Sequence, residues 1–149
     1  MTSVADQELV DRVLKASRTI AVVGLSRNPA KTSYAVADYM RRQGYRILPI
    51  NPFAEEIMDE ACFPTLGDVP SSLATEIDIV DIFRPSNELP AVVRDVLDHT
   101  PGVSLIWAQL GISNKLAAEM ARGAGVPMVQ DMCIKVVYGR LAGRGRSRG

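Results

Sequence analysis

The residues of this chain that could do chemistry collect in short segments, each of which follows an apolar run. The first segment covers residues 24–33 and reads Gly-Leu-Ser-Arg-Asn-Pro-Ala-Lys-Thr-Ser. A turn of this kind, placed between a strand and a helix, directs backbone N–H groups and the positive end of the helix dipole toward a phosphate. The segment also supplies hydroxyl donors and cations suited to phosphate, namely Ser26, Arg27, Lys31, Thr32 and Ser33. The alternative interpretation is a solvated loop that ends in an ordinary Ser or Thr helix cap.

Three further segments follow predicted strands and are expected at the same edge of a parallel sheet. Asn51, Arg84 and Gln109 carry amide and guanidinium groups that hydrogen-bond to amides, phosphates or an adenine edge. Phe83 and Pro85 could line an apolar slot beside them, and a plain core position is the alternative for Phe83. Because ligands of open α/β sheets bind outside the carboxyl ends of the strands, the segments together predict a ligand site there.

The common nucleotide-binding motifs are absent from the sequence. The first segment does not contain Gly-x-Gly-x-x-Gly, and Asn51 stands where NAD enzymes carry the Asp or Glu that binds the ribose. The Gly-Lys-Ser/Thr of a Walker A loop does not occur either. An ordinary NAD dehydrogenase is therefore disfavoured.

No set of residues matches a known catalytic or metal-binding pattern. The single histidine, His99, precedes Thr-Pro-Gly at the predicted end of a helix, and we expect it far from the ligand site. Without it no Ser/His/Asp triad can form. The acidic residues lack the spacing of metal ligands. We therefore expect no catalytic residue and no metal site.

The two cysteines leave one alternative open. Cys133 could reach the thiol end of a bound cofactor and form a mixed disulfide, or it could be a small buried apolar residue. Cys62 is expected to be structural. A redox enzyme or thiol sensor that uses Cys133 with a nucleotide cofactor is thus the alternative function.

The composition is that of one globular domain. The chain has 149 residues, of which 47% are hydrophobic, and no apolar run approaches the ~20 residues of a membrane helix. Two cysteines and the lack of a signal-peptide pattern indicate the cytoplasm.

The charges are unevenly distributed along the chain. The last ten residues carry four of the 17 basic groups and no acid, so the rest of the chain has a net charge of −4 and nucleic acid is a disfavoured partner. We expect a domain of residues 1–141 and a flexible Gly/Arg tail of residues 142–149.

Helical and strand patterns alternate along the chain, which predicts an α/β fold with an open, five-stranded, mainly parallel sheet and helices on both faces. The predicted strands are residues 19–23, 45–50, 78–83, 103–107 and 126–129. Helical patterns cover about residues 5–17, 33–43, 88–99 and 116–124.

Several of these segments together resemble a known family. The pattern consists of Ile20-Ala-Val-Val-Gly24-x-Ser26-x-x-Pro29-x-Lys31-x-Ser33-Tyr34, Gly44-Tyr45-x-Ile47-x-Pro49-x-Asn51-Pro52, Asp78-Ile-Val-Asp81-x-Phe83-Arg84, Trp107-x-Gln109-Leu-Gly111 and Asp131-x-Cys133-x-Lys135. In order and spacing it resembles the small coenzyme A-binding domain proteins, which are similar to the nucleotide-binding domain of the succinyl-CoA synthetase α subunit. The resemblance covers roughly residues 15–141.

The resemblance implies a single Rossmann-like domain with coenzyme A laid across the strand ends. It implies that the loop from Gly24 to Asn28 faces the cofactor, and that Asn51 and Pro52 lie beside its nucleotide half. The segment from Phe83 to Pro85 and Gln109 would flank the remainder. Lys31 departs from the family, whose members often have arginine there.

The sequence thus predicts a protein that binds coenzyme A or an acyl-CoA at the carboxyl ends of the strands without catalysis of its own. The expected partner is this small-molecule nucleotide cofactor rather than a membrane. A protein partner or a homo-oligomer stays open, and the acyl group and the pathway are not indicated.

Overall fold

Five parallel strands form the central sheet of the structure, a computed structural model that describes residues 6–148 and the side chains of residues 6–143. The elements in chain order are α1 (Gln7–Ala16), β1 (Thr19–Val23), α2 (Thr32–Arg42), β2 (Arg46–Ile50), β3 (Glu56–Ile57), β4 (Glu60–Ala61), α3 (Ser71–Ala74), β5 (Ile79–Ile82), α4 (Leu89–His99), β6 (Leu105–Ala108), α5 (Lys115–Gly123), β7 (Met128–Val129) and α6 (Ile134–Arg148). The predicted α/β class and five-stranded sheet are confirmed.

The strand order is β2-β1-β5-β6-β7, and every neighbouring pair is parallel. From β1 the chain first builds outward to β2 and then returns to add β5 on the other side of β1. The order therefore reverses between β1 and β5. In open sheets of this kind the loops diverge at that point and leave a crevice at the carboxyl ends of the strands.

Helices cover both faces of the sheet, as predicted. The core on one face joins α1, α2 and α6 through residues such as Leu14, Met40 and Val137. The core on the other face joins α3, α4 and α5 and includes Val93 and Ala117. Because both faces are covered, the strands are apolar at nearly every position.

Local sequence explains where several helices begin and end. Asp6 caps α1, since its carboxylate accepts a 2.8 Å hydrogen bond from the N–H of Leu9. Asn114 caps α5 in the same way at 3.0 Å from the N–H of Ala117. The chain leaves α2 through Gly44, whose φ of +106° suits the glycine predicted there.

The structure adds elements that we did not predict from the sequence. β3 and β4 form a two-stranded antiparallel hairpin, and α3 is a four-residue helix. α6 begins at Ile134 and runs to Arg148, so its backbone is helical through most of the predicted tail. The boundary expected at residue 141 thus falls inside a helix, and the flexibility of the tail stays a prediction.

Among residues 6–148, no helix is long and apolar enough to cross a bilayer.

Candidate functional site

A cleft of about 510 Å³ opens at the carboxyl ends of β1, β2 and β5, where the strand order reverses. Its far wall is formed by α4 and by the segment that contains Pro64 and Thr65. Five of the predicted ligand residues line this cleft, namely Gly24, Ser26, Asn51, Pro52 and Arg84. The size is within the range of small-molecule sites, roughly 300–1,000 Å³.

Gly24 allows β1 to end against β5 without a side chain between them. Its φ is +86°, and a Cβ atom built there would lie 2.6 Å from the carbonyl oxygen of Phe83 and 3.1 Å from Cδ of Arg84. Its N–H donates to the carbonyl of Ile50 at 2.9 Å. Only glycine fits both the conformation and the space, so the first loop is held close over the sheet edge.

The first loop is shaped by its own hydroxyl and amide side chains. The N–H of Ser26 donates to Oγ of Ser33 at 3.0 Å, and the N–H of Asn28 donates to Oγ of Ser26 at 3.0 Å. Oδ1 of Asn28 in turn accepts from the N–H of Ala30 at 2.9 Å. These bonds fix the loop beside the cleft.

α2 follows the first loop directly, and no side chain caps its N-terminus. The N-cap position is Lys31, which makes no side-chain capping bond, and the hydroxyl of Ser33 is used by Ser26. The Ser or Thr cap of the alternative interpretation is therefore wrong, whereas residues 27–32 are exposed, as its solvated loop predicts. Amides of the first turn stay available to an anion. The side chains of Arg27, Lys31 and Thr32 are exposed next to them.

Asn51 connects the first loop with the turn that follows β2. Its Nδ2 donates to the carbonyl of Leu25 at 2.8 Å, and its Oδ1 accepts from the N–H of Phe53 at 2.7 Å. Both polar atoms of the side chain have protein partners. The contacts thus support a positioning role for Asn51 at the cleft rather than a free amide.

Arg84 reaches the cleft together with an acid that the sequence did not single out. Its Nε and Nη2 donate to Oε1 of Glu88 at 3.0 and 2.9 Å, and Nη2 also donates to Oε2 at 3.0 Å. Glu88 lines the cleft as well. The charge of Arg84 is therefore balanced before any ligand arrives.

A second acid, Asp95, lines the cleft from α4 and is also bonded internally. Its Oδ2 accepts from the N–H of Leu66 at 3.0 Å, and its Oδ1 lies 2.9 Å from Nδ1 of His99. His99 closes α4 as predicted, but it contacts a residue of the cleft wall. The large separation expected between His99 and the site is thus wrong, because α4 lies along the cleft.

Two predicted ligand residues, Phe83 and Gln109, lie neither in the cleft nor in the first loop. Gln109 is 3% exposed, and its Oε1 accepts from the N–H of Ile134 at 3.1 Å, so it fixes the start of α6. The half-buried Phe83 packs against the core on the α1, α2 and α6 face. Trp107 is fully buried, and its Nε1 donates to the carbonyl of Met132 at 2.8 Å. None of the three side chains lines the cleft.

Both cysteines are free thiols and partly buried. Sγ of Cys62 donates to the carbonyl of Asn51 at 3.4 Å, and burial raises the pKa of this thiol. Cys133 precedes α6, and its carbonyl accepts from the N–H of Val137 at 3.1 Å. Cys133 is not a lining residue of the cleft. Over the described residues no group of His, Cys, Asp or Glu is arranged to hold a metal ion.

Another concavity of about 350 Å³ lies at the opposite ends of the strands, between the ends of α1 and α2 and the side of α6. Arg18 and Gly44 belong to its wall. The last turns of α1 and α2 direct carbonyl groups, not amides, to this end, which disfavours a bound anion. The cleft at the strand reversal is therefore the better candidate site.

Comparisons with known proteins agree with this architecture. A family profile described as CoA binding domain matches residues 18–139. Uncharacterized protein YneT of Bacillus subtilis is 36% identical over 129 residues, which are 87% of this chain and 91% of that protein. An ADP-forming acetate–CoA ligase of Methanocaldococcus jannaschii is 28% identical over 140 residues, which are 89% of this chain but 19% of the ligase.

The solved structures include one from Thermus thermophilus, called cell-free ID.343, that is 34% identical to this chain. It has a TM-score of 0.83, and the match covers 92% of this chain and 99% of the other. Together these matches confirm the family resemblance predicted from the strand-end motifs. Since the family profile spans most of the chain and the Bacillus relative matches over nearly its full length, this chain belongs to the CoA-binding domain family.

Proposed function

We propose that this protein binds coenzyme A or an acyl-CoA in the cleft at the strand reversal and has no catalytic machinery of its own. The observation that carries the proposal is the glycine turn at Gly24, which opens the cleft beside the uncapped N-terminus of α2. Membership of the CoA-binding domain family supports coenzyme A as the ligand.

Charge supports a particular placement of the phosphates. The wall of the cleft that α4 and its preceding turn form carries Glu88 and Asp95, and the guanidinium of Arg84 is paired there with Glu88. The exposed cations Arg27 and Lys31 belong instead to the first loop. A diphosphate is thus favoured at this loop and at the amides of α2, while uncharged parts of the ligand enter the cleft.

The lack of catalysis rests on the positions of the reactive groups. Nδ1 of His99 is bonded to Asp95, and Cys133 lies away from the cleft lining. The relative named as an acetate–CoA ligase is much longer, and this chain covers 19% of it. We infer that this chain corresponds to the cofactor-binding part of such a protein. Free thiols at both cysteines are consistent with the reducing cytoplasm as its compartment.

Calorimetric titration of the whole chain with coenzyme A and with NAD tests the proposal. Asn51 replaces the acid that NAD enzymes use for the ribose, and its amide is already engaged, so we expect the tighter binding with coenzyme A. Equal or tighter binding of NAD would exclude the proposed ligand. Mass spectrometry of small molecules released from the purified protein provides an independent check.

A further inference from the structure

α5 carries a large apolar side chain on its outer side. Ala117 and Ala121 of this helix are fully buried, whereas Leu116 is 56% exposed. Leu110, in the segment between β6 and α5, is 70% exposed, and neither leucine lines the cleft at the strand reversal. Because the fold itself leaves both side chains in water, only a second molecule can bury them.

Hydrogen bonds fix the segment that joins the two leucines. The N–H of Gly111 donates to Oδ1 of Asp131 at 2.7 Å, and the N–H of Asn114 donates to Oε1 of Gln130 at 2.7 Å. The segment is thus anchored twice to the residues that follow β7. The exposed leucines therefore belong to a surface whose backbone is held in place.

Two charged side chains accompany Leu116 on the exposed side of α5. Lys115 and Glu119 are both exposed, and within residues 6–143 neither forms an ion pair. Pairing within the helix is weak in this order, because a lysine in the first turn opposes the helix dipole. α5 has no acid in its first turn to offset that lysine. A carboxylate from a neighbouring molecule is therefore favoured beside Lys115.

A second copy of the chain supplies that carboxylate by symmetry. Lys115 and Glu119 are four residues apart, about one helical turn. When two α5 helices lie antiparallel about a two-fold axis midway between these residues, Lys115 of each copy faces Glu119 of the other. The two Leu116 side chains then meet between the ion pairs. The surface is thus complementary to itself in charge and in apolar character.

We propose that this surface, formed by Leu110, Lys115, Leu116 and Glu119, joins two copies of the chain through an antiparallel contact of their α5 helices. None of the four residues lines the cleft, so the inference is independent of the proposed ligand. Four residues are few beside the roughly 20–30 per side of a standard interface. We therefore expect a weak dimer that forms reversibly as the protein concentration rises.

Sedimentation equilibrium of the whole chain, from about 10 µM to 1 mM protein, measures the dimer. Leu116→Ser is expected to weaken the association on the order of tenfold. Lys115→Glu and Glu119→Lys should each weaken it as well, because like charges then face each other across the axis. The double variant Lys115→Glu/Glu119→Lys should restore the association, since the exchanged charges pair again.

Phe53→Ser is the matched control, since this apolar side chain is 84% exposed but lines the cleft instead of the α5 surface. It should leave the association unchanged. Far-UV circular dichroism of each variant verifies that it is folded. A monomer at every concentration, or a dimer that neither single charge reversal weakens, would overturn the proposal. Failure of the double variant to restore the association would overturn the antiparallel arrangement.

Discussion

The guanidinium of Arg84 lies 2.9 Å from the carboxylate of Glu88 at the edge of the cleft, four residues apart in the chain. Both side chains are 43% exposed, so the pair contributes little to stability, about 0–1 kcal/mol. Its effect on a ligand is larger, because the charge of Glu88 offsets that of Arg84 and so weakens the attraction of the site for an anionic cofactor held at the neighbouring loop. The pair therefore holds Arg84 at the cleft while masking its charge.

Glu88→Gln is expected to strengthen the binding of coenzyme A several-fold, since the amide keeps one hydrogen bond to Arg84 and releases its positive charge. The gain should shrink at high salt, which screens exposed charges. Calorimetry at low and high salt measures both effects. Weaker binding in this variant would instead mean that Glu88 positions Arg84 for the ligand.

Lys31→Ala removes one cation from the uncapped start of α2. A charge-assisted hydrogen bond to phosphate is worth about 1.5–3 kcal/mol, so the affinity for coenzyme A should fall on the order of tenfold and become less dependent on salt. Lys15→Ala is the control, because it removes the same charge at the opposite ends of the strands. Equal affinities of both variants would identify Lys31 as a solvated loop residue.

Gly24→Ala is expected to destabilise the protein by roughly 1–3 kcal/mol and to abolish binding, because the residue has a φ of +86° and its Cβ would meet the carbonyl of Phe83. Gly123→Ala provides the contrast. Gly123 closes α5 with nothing within 4 Å of a built Cβ, so that variant should keep its affinity and gain up to about 1 kcal/mol. Urea unfolding and titration of both variants check these outcomes, and retained binding in Gly24→Ala would show that the loop can move.

The sheet could be predicted from the sequence because its strands are continuous apolar runs between helical patterns. The predicted β1 coincides with the observed Thr19–Val23. The β3–β4 hairpin could not be predicted in this way, since each strand has two residues and the turn places Met58 and Asp59 at positive φ without glycine. α6 was missed because its glycines disfavour helix, and packing of Val137 and Leu141 against the core offsets that preference.

Part of the candidate site could be predicted because its residues follow the ends of apolar strands. Gly24, Ser26 and Arg84 were predicted in this way, and all three line the observed cleft. Sequence could not show that the amide of Gln109 turns inward to Ile134, since the direction of a side chain depends on the packing of α6. Glu88 was missed because its partner Arg84 lies before the helix, where no periodic pattern relates the two.

Asp81 provides a prediction about stability and pH. It lies in β5 between Val22 and Trp107, is 1% exposed, and its Oδ1 has no hydrogen-bond partner. Burial raises the pKa of this carboxyl well above its ordinary value. The folded state thus keeps a proton that the unfolded state releases above about pH 3.9. The contribution of this bound proton to the free energy of unfolding is fully present below about pH 3.9. It is lost as the pH rises toward the pKa that Asp81 has in the folded state.

The free energy of unfolding should therefore fall with rising pH above about 4, by at most ~1.4 kcal/mol per pH unit from this group. Asp81→Asn should remove this contribution to the pH dependence of the free energy of unfolding. Asp98→Asn, which changes an exposed residue of α4, should leave that pH dependence unchanged. Urea unfolding between about pH 5 and pH 8 measures the slopes. Identical slopes in Asp81→Asn and the unmodified protein would mean that Asp81 is ionised in the fold.

The last prediction concerns His99, the chain's single histidine. Its Nδ1 is bonded to Asp95, and the ring packs over Gly67, where a built Cβ would lie 3.1 Å from Cε1. These contacts indicate a structural role at the back of the cleft wall. We expect His99→Ala to change the affinity for coenzyme A by less than about twofold, because Leu66 still bonds Asp95. We also expect no phosphohistidine and no acetyl-CoA when the protein is incubated with ATP, acetate and coenzyme A. Mass spectrometry of the intact protein and of the small molecules checks both, and a phosphate on His99 or turnover by the chain alone would contradict the non-catalytic proposal.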